Sequence, residues 1–148
     1  MTYHEFGRLD ESMRLRHDVY SGTLKLYGEE HKYTFLEANN YANMLASVER
    51  YEKAKSLLRR QIPVARRVLG DGCETTLRMR YNYARALYID PAATLDDLSE
   101  AVTTLEDSER IARRVLGGAH PLTTGIEGAL QNARATLDSR ETQSPRSN

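Results

Sequence analysis

The sequence predicts an all-α fold of antiparallel helix pairs, about six helices in a row, and three observations predict it. Four Pro, nine Gly and no Trp in 148 residues leave room for long helices and disfavour a turn-rich β-sandwich. The string Tyr27-Gly28-Glu29-Glu30-His31 returns as Leu69-Gly70-Asp71-Gly72-Cys73 and again as Leu116-Gly117-Gly118-Ala119-His120, so the glycines lie 42 and 47 residues apart. Such a period is the signature of stacked repeats. Between the glycines, apolar residues recur every three to four positions, the spacing of an amphipathic helix.

Each element follows from this repeat. Stepping back 42 residues from the second helix of the first unit lands on Leu9–Tyr27, half a unit whose stripe is supplied mostly by Leu15, Val19, Tyr20 and Leu26. Residues 1–8 read as an N-terminal extension. Leu36, Asn40, Ala42 and Leu45 share one side of a helix over Thr34–Ser47, and Tyr51, Ala54, Leu57, Leu58, Ile62, Ala65, Val68 and Leu69 form the stripe of the next. Gly70 ends that helix, where a left-handed cap calls for a residue without Cβ. Pro63 removes one bond from its interior and should kink it. Further helices are expected at Glu74–Ile89, Leu95–Leu116 and Pro121–Ser139, the last with Pro in its first turn and with Gly125 and Gly128 lowering its propensity. The five extra residues of the second unit fall at Asp90-Pro91-Ala92-Ala93-Thr94, a turn between helices. Ala42, Ala54, Ala84 and Ala101 would let paired helices approach closely. The repeat domain thus spans 9–140, and the polar, uncapped residues 141–148 are expected to be a disordered tail.

Asn40-Tyr41-Ala42 with Leu45 recurs as Asn82-Tyr83-Ala84 with Leu87, and Ala54 with Leu58 recurs as Ala101 with Leu105. The spacing of 12 from Ala42 to Ala54, with Leu45 and Leu58 beyond them, resembles the tetratricopeptide repeat. Leu116-Gly117-Gly118-Ala119-His120-Pro121 and Arg50-Tyr51-Glu52-Lys53-Ala54 are similar to the kinesin light chain subtype. The sequence departs from that pattern with Cys73 for His, Glu74 for Pro, Gln131 for the third Ala and the five-residue insertion. The resemblance implies a right-handed superhelix whose first helices line a concave face for peptide segments of partner proteins, and it implies no enzymatic activity. Kinesin light chains also carry a heptad coiled coil, which has no counterpart in these residues, so a motor-cargo role does not transfer.

Projecting the repeat positions onto the first helix of each unit gives the candidate peptide-binding residues: Leu36, Asn39, Asn40, Asn43 and Ala46, then Arg78, Tyr81, Asn82, Arg85 and Tyr88, then Asn132. Asn amides can bond an extended backbone as donor and acceptor, Arg pairs with carboxylate, and Tyr offers a flat apolar face. The blander alternative is that Asn40 and Asn82 bridge neighbouring helices while the tyrosines cover apolar surface. His31 and His120 share a repeat position with Cys73, which favours a turn-stabilising role for both histidines. His4, His17, His31 and His120 are too scattered to hold a metal, and Gly117-Gly118 lacks the Lys-Ser/Thr of a phosphate loop. No catalytic residue, metal or cofactor is expected.

Charge is balanced overall, with Lys+Arg 21 against Asp+Glu 21, which argues against a basic nucleic-acid binder. It is uneven locally. Between Arg50 and Gly70 seven bases face Glu52 alone, and between Asp90 and Glu109 seven acids face no base. Solvated helix faces account for most such runs, and the sharper reading is pairing of the two helices side by side or between molecules. Hydrophobic residues at 40% point to a thin core. The single Cys73 cannot form an internal disulfide, no apolar stretch approaches the roughly 18 residues of a membrane span, and Met1–Asp10 lacks the pattern of a secretory signal. A cytoplasmic adaptor is therefore expected, binding a short, acidic segment of another protein, with no nucleic-acid or membrane partner. A self-assembling structural module is the alternative.

Overall fold

The computed structural model describes residues 2–143, in which all regular structure is helical. Six helices follow one another: α1 (Tyr3–Tyr27), α2 (Lys32–Ser47), α3 (Tyr51–Leu69), α4 (Glu74–Ile89), α5 (Leu95–Val115) and α6 (Pro121–Gln143). The expected boundaries hold to within two residues except at the two outer ends. α1 begins six residues before Leu9 because Thr2 and Glu5 form a capping box, in which Thr2 Oγ1 accepts from Glu5 N at 3.2 Å and Thr2 N donates to Glu5 Oε2 at 3.0 Å. α6 continues past Ser139, and Arg140 near its end donates to the carbonyl oxygens of Ala93, at 2.7 Å, and Pro91, at 3.0 Å. The inserted turn thereby finds partners for two carbonyls that its own backbone leaves free. Of the expected tail, 141–143 are helical, and 144–148 lie outside the described residues.

The chain divides into two compact units, Met1–Met79 and Arg80–Asn148. In the first, α1 packs on α2 and α2 on α3. Phe35, Leu45, Leu58, Leu77 and Met79 fill its core, and Ala42 and Ala54 are fully buried, as close helix packing requires. Gln61 is buried beside Tyr20 and donates from Nε2 to the tyrosine hydroxyl at 3.1 Å, tying α3 to α1. α3 runs unbroken through Pro63, whose ring is exposed. In the second unit α5 packs on α6 around Leu98, Leu105 and Ile126, with Ala101, Ala112 and Ala133 fully buried.

The repeated turns share two devices, a glycine at positive φ and, in two of the three, a capping histidine. Gly28 and Gly70 close α1 and α3 at φ 85° and 91°, and each donates its N–H to the carbonyl four residues back. A side chain at that φ would be strained, so glycine recurs. Three residues after Gly28, His31 Nδ1 accepts from Tyr33 N at 3.1 Å, and three residues after Gly117, itself at φ 92°, His120 Nδ1 accepts from Leu122 N at 3.1 Å. Both histidines therefore act as N-terminal caps of the helices that follow. His31 also stacks on Tyr27 with ring centroids 4.5 Å apart.

Candidate functional site

Helix α4 carries the charged and aromatic candidate side chains. Arg78, Tyr81, Arg85 and Tyr88 recur at spacings of three and four, which sets them along one face of the helix. Arg78 is exposed and held by Glu74 one turn back, with Nη2 to Oε1 at 2.7 Å. Arg85 is exposed and lies over the Tyr81 ring, its guanidinium carbon 5.5 Å from the ring centroid. That geometry is a cation–π contact, which orients the guanidinium without consuming its hydrogen-bond donors. Tyr81 is half-buried and reaches α6 at Gly125, where an added Cβ would sit 3.7 Å from the tyrosine oxygen. The Tyr81 ring thus lies between the Arg85 guanidinium and the Gly125 turn of α6. Tyr88 is half-buried, as is Asn82.

The remaining candidates differ in access. On α2, Asn43 is exposed, Asn40 half-buried and Asn39 buried at 8% exposure, while Leu36 is 41% exposed and Ala46 half-buried. On α6, Asn132 is exposed, and its backbone carbonyl accepts from Thr136 Oγ1 at 2.9 Å.

Several charges of the basic and acidic runs are paired near at hand. On α3, Lys55 is buried and pairs with Glu52 at 2.7 Å, Arg66 grips Asp71 at 2.6 Å and Arg67 reaches Glu30 at 2.5 Å. On α5, Asp107 takes Arg80 at 2.8 Å and also Arg110, Glu106 takes Arg134 at 3.1 Å, and Glu109 takes Arg113. Arg113 also meets Glu127, and its affinity for the proton is raised, first by its hydrogen bond to Glu109 and then by the Glu127 charge.

Sequence reasoning passed over one feature of the first unit. A cleft of about 490 Å³ opens among α1, α2 and α3, lined by His17, Tyr20, Tyr41, Lys53 and Arg60 among others. His17 meets the Tyr41 ring edge-on at 5.5 Å. Its residues come from three helices at no common repeat position, so the period alone could not assemble it. Among the described residues, no three His, Cys, Asp or Glu side chains converge to hold a metal ion, and no helix is long and apolar enough to cross a membrane.

Residues 38–72, from α2 through the turn after α3, match the family model of the tetratricopeptide repeat. The nearly identical TPR-like repeats of a kinesin light chain-type protein of Podosopora anserina superpose with a TM-score of 0.71 at 20% identity, over 98% of this chain and 72% of that one. The fold is the tetratricopeptide-repeat fold. Its repeats are similar to those of kinesin light chains, as the Leu-Gly-x-x-His-Pro turn implied. BtubC (BKLC) from P. vanneervenii is similar at a TM-score of 0.54 and 12% identity, over 99% of this chain and 63% of that one. No curated protein matches the chain in sequence. Tetratricopeptide-repeat folds generally mediate protein–protein interaction or scaffolding and are typically non-catalytic.

Proposed function

We propose that the chain is a non-catalytic adaptor that binds an extended, acidic segment of a partner protein along the first helices of its repeats, with α4 as the centre. The observation that carries this reading is Arg85 held over Tyr81 beside Arg78, two guanidinium groups on an exposed helix face with half-buried phenols between and beyond them. Arg78 gives up an exposed bridge to Glu74 at small cost, because such bridges contribute only about 0–1 kcal/mol. A carboxylate on the incoming segment replaces Glu74, and an apolar or aromatic side chain packs on Tyr81 or Tyr88. Asn40, Asn43, Asn82 and Asn132 occupy repeat positions suited to bonding the segment's backbone, whereas Asn39, expected among them, is buried and offers a segment little access. The cytosol is the compartment this reading assumes.

Affinity capture with the parent chain and with Arg78→Ala/Arg85→Ala, compared by mass spectrometry, tests the reading. A partner retained by the parent and lost by the variant supports it. Equal capture by both moves the binding surface off α4. A self-assembling role is the second reading, favoured by the exposed Leu15 and Leu26 of α1.

A further inference from the structure

Repeat register exposes a difference between the first helix and the last. Leu15 and Val19 of α1 stand 42 residues before Leu57 and Gln61 of α3. In α3 those two positions are 8% and 1% exposed, because they face α1: Gln61 bonds Tyr20, and Leu57 lines the cleft between the two helices. In α1 the same positions are 64% and 39% exposed, and Leu26, two turns beyond Val19, is 74% exposed. The face that α3 turns to the helix before it is thus apolar and uncovered in α1. Gly22 and Leu26 continue from Leu15 and Val19 at spacings of three and four, one stripe along the helix, although at the Leu26 position α3 itself leaves Val68 40% exposed.

The last helix is built the opposite way. Phe35, Ala42 and Leu45 of α2, and Leu77, Ala84 and Leu87 of α4, are buried apolar residues at corresponding positions. Their counterparts in α6, 47 residues after those of α4, are Thr124, Gln131 and Arg134, all exposed. α6 therefore has a polar outer face among the described residues, and α1 has not. A head-to-tail contact between copies would set an apolar face against a polar one. Such a mismatch leaves the α1 stripe to an occupant other than the α6 face.

We infer that the α1 stripe is a homodimer interface, in which α1 of one copy packs antiparallel on α1 of a second across a two-fold axis. The stripe is self-complementary about the midpoint between Val19 and Gly22. Antiparallel pairing sets Leu15 of one copy against Leu26 of the other, and Val19 of each into the space that Gly22 leaves open, where an added Cβ would meet nothing within 4 Å. Asp18 and Lys25 lie on the same edge of the stripe. In an antiparallel pair like edges meet, so Asp18 of each copy comes beside Lys25 of the other. The interface is small and mostly apolar, so the dimer depends on concentration and survives added salt. This assembly involves neither Arg78 nor Arg85 and stands or falls apart from the groove on α4.

Sedimentation of the full chain between about 1 and 300 µM, at low salt and at about 0.5 M, gives the test, since weak interfaces of this size associate in the micromolar range. The parent should pass from monomer to dimer at both salt concentrations. Leu15→Glu/Leu26→Glu should remain monomeric throughout with the parent's helical circular dichroism, because both side chains are exposed in the single copy. A parent that stays monomeric to 300 µM, a dimer that dissolves as salt rises, or a variant that dimerises like the parent overturns the proposal. A second measurement fixes the geometry in a Cys73→Ser background. Mild oxidation of mixed Leu15→Cys and Leu26→Cys chains should cross-link one to the other, whereas Leu15→Cys alone should not cross-link, its two sulfurs being held roughly eleven residues, or about 16 Å, apart. Cross-linking of Leu15→Cys to itself contradicts the antiparallel pair.

Discussion

Arg80 Nη2 of α4 lies 2.8 Å from Asp107 Oδ2 of α5, and the arginine is buried at 7% exposure. Repeat position makes this unexpected, because Arg80 stands 42 residues after Ala38, which is fully buried in α2. A guanidinium in a core position is tolerated only with its charge answered, and Asp107, shared with the exposed Arg110, answers it. The other terminal nitrogen, Nη1, is buried with no hydrogen-bond partner among the described residues.

Asp107→Ala should therefore destabilise the chain by about 3 kcal/mol, since it strands the buried Arg80 charge. Asp107→Ala/Arg80→Met should recover most of that loss by replacing the pair with apolar volume. Urea denaturation of the parent and both variants checks the pair: an Asp107→Ala midpoint equal to the parent's would show that the bridge contributes nothing, and a double variant no better than the single would show that the stranded charge is not the cause of the loss.

The histidine caps give a second expectation. His31→Ala and His120→Ala each remove a side-chain acceptor from a helix N-terminus, at a cost of about 1 kcal/mol, or roughly 3 °C in Tm for a domain of this size. Cys73 occupies the same position before α4 with a thiol, a weak acceptor, so Cys73→Ser should raise Tm by a similar amount. Thermal melts followed by circular dichroism measure all three, and a fall on Cys73→Ser would show that thiol packing outweighs capping.

How far these features were legible in the sequence depends on whether they repeat. The glycine ends of α1 and α3, the helix pairing and the caps recur with the period, so alignment of the chain with itself exposes them. His31 and His120 were readable as turn residues for that reason. Arg80 was readable in principle, as a charge standing where the previous unit has Ala38, but its partner on α5 has no repeat counterpart to mark it. The extra turns of α1 and α6 carry little apolar periodicity. They are held by Thr2 with Glu5 and by Arg140 with the Pro91 and Ala93 carbonyls, contacts of single residues that a search for stripes overlooks. The basic run of α3 was visible as a sum, yet Arg66 and Arg67 find their acids across turns, at Asp71 and Glu30, which a net charge does not reveal.

Gly125 links stability to the proposed site. An Ala Cβ there would stand 3.7 Å from the Tyr81 oxygen, an ordinary contact, so Gly125→Ala should stabilise α6 by about 0.5–1 kcal/mol and leave Tyr81 in place. Gly125→Leu should displace the ring from under Arg85. Tyrosine fluorescence together with partner binding distinguishes the two variants. Loss of binding with Gly125→Ala would show that Tyr81 has less room than its 3.7 Å allows.

The affinity of Arg85→Ala for the captured partner segment decides whether the α4 face is the binding surface. A charge-assisted contact desolvated on binding contributes roughly 1.5–3 kcal/mol, so Kd should rise about tenfold or more. Tm should barely move, because Arg85 is exposed and its contact is with the Tyr81 ring. Arg66→Ala on α3, which loses an exposed bridge to Asp71 outside the α4 face, should leave Kd unchanged. If Arg78→Ala/Arg85→Ala binds the segment as tightly as the parent does, the α4 face is not where this chain meets its partner.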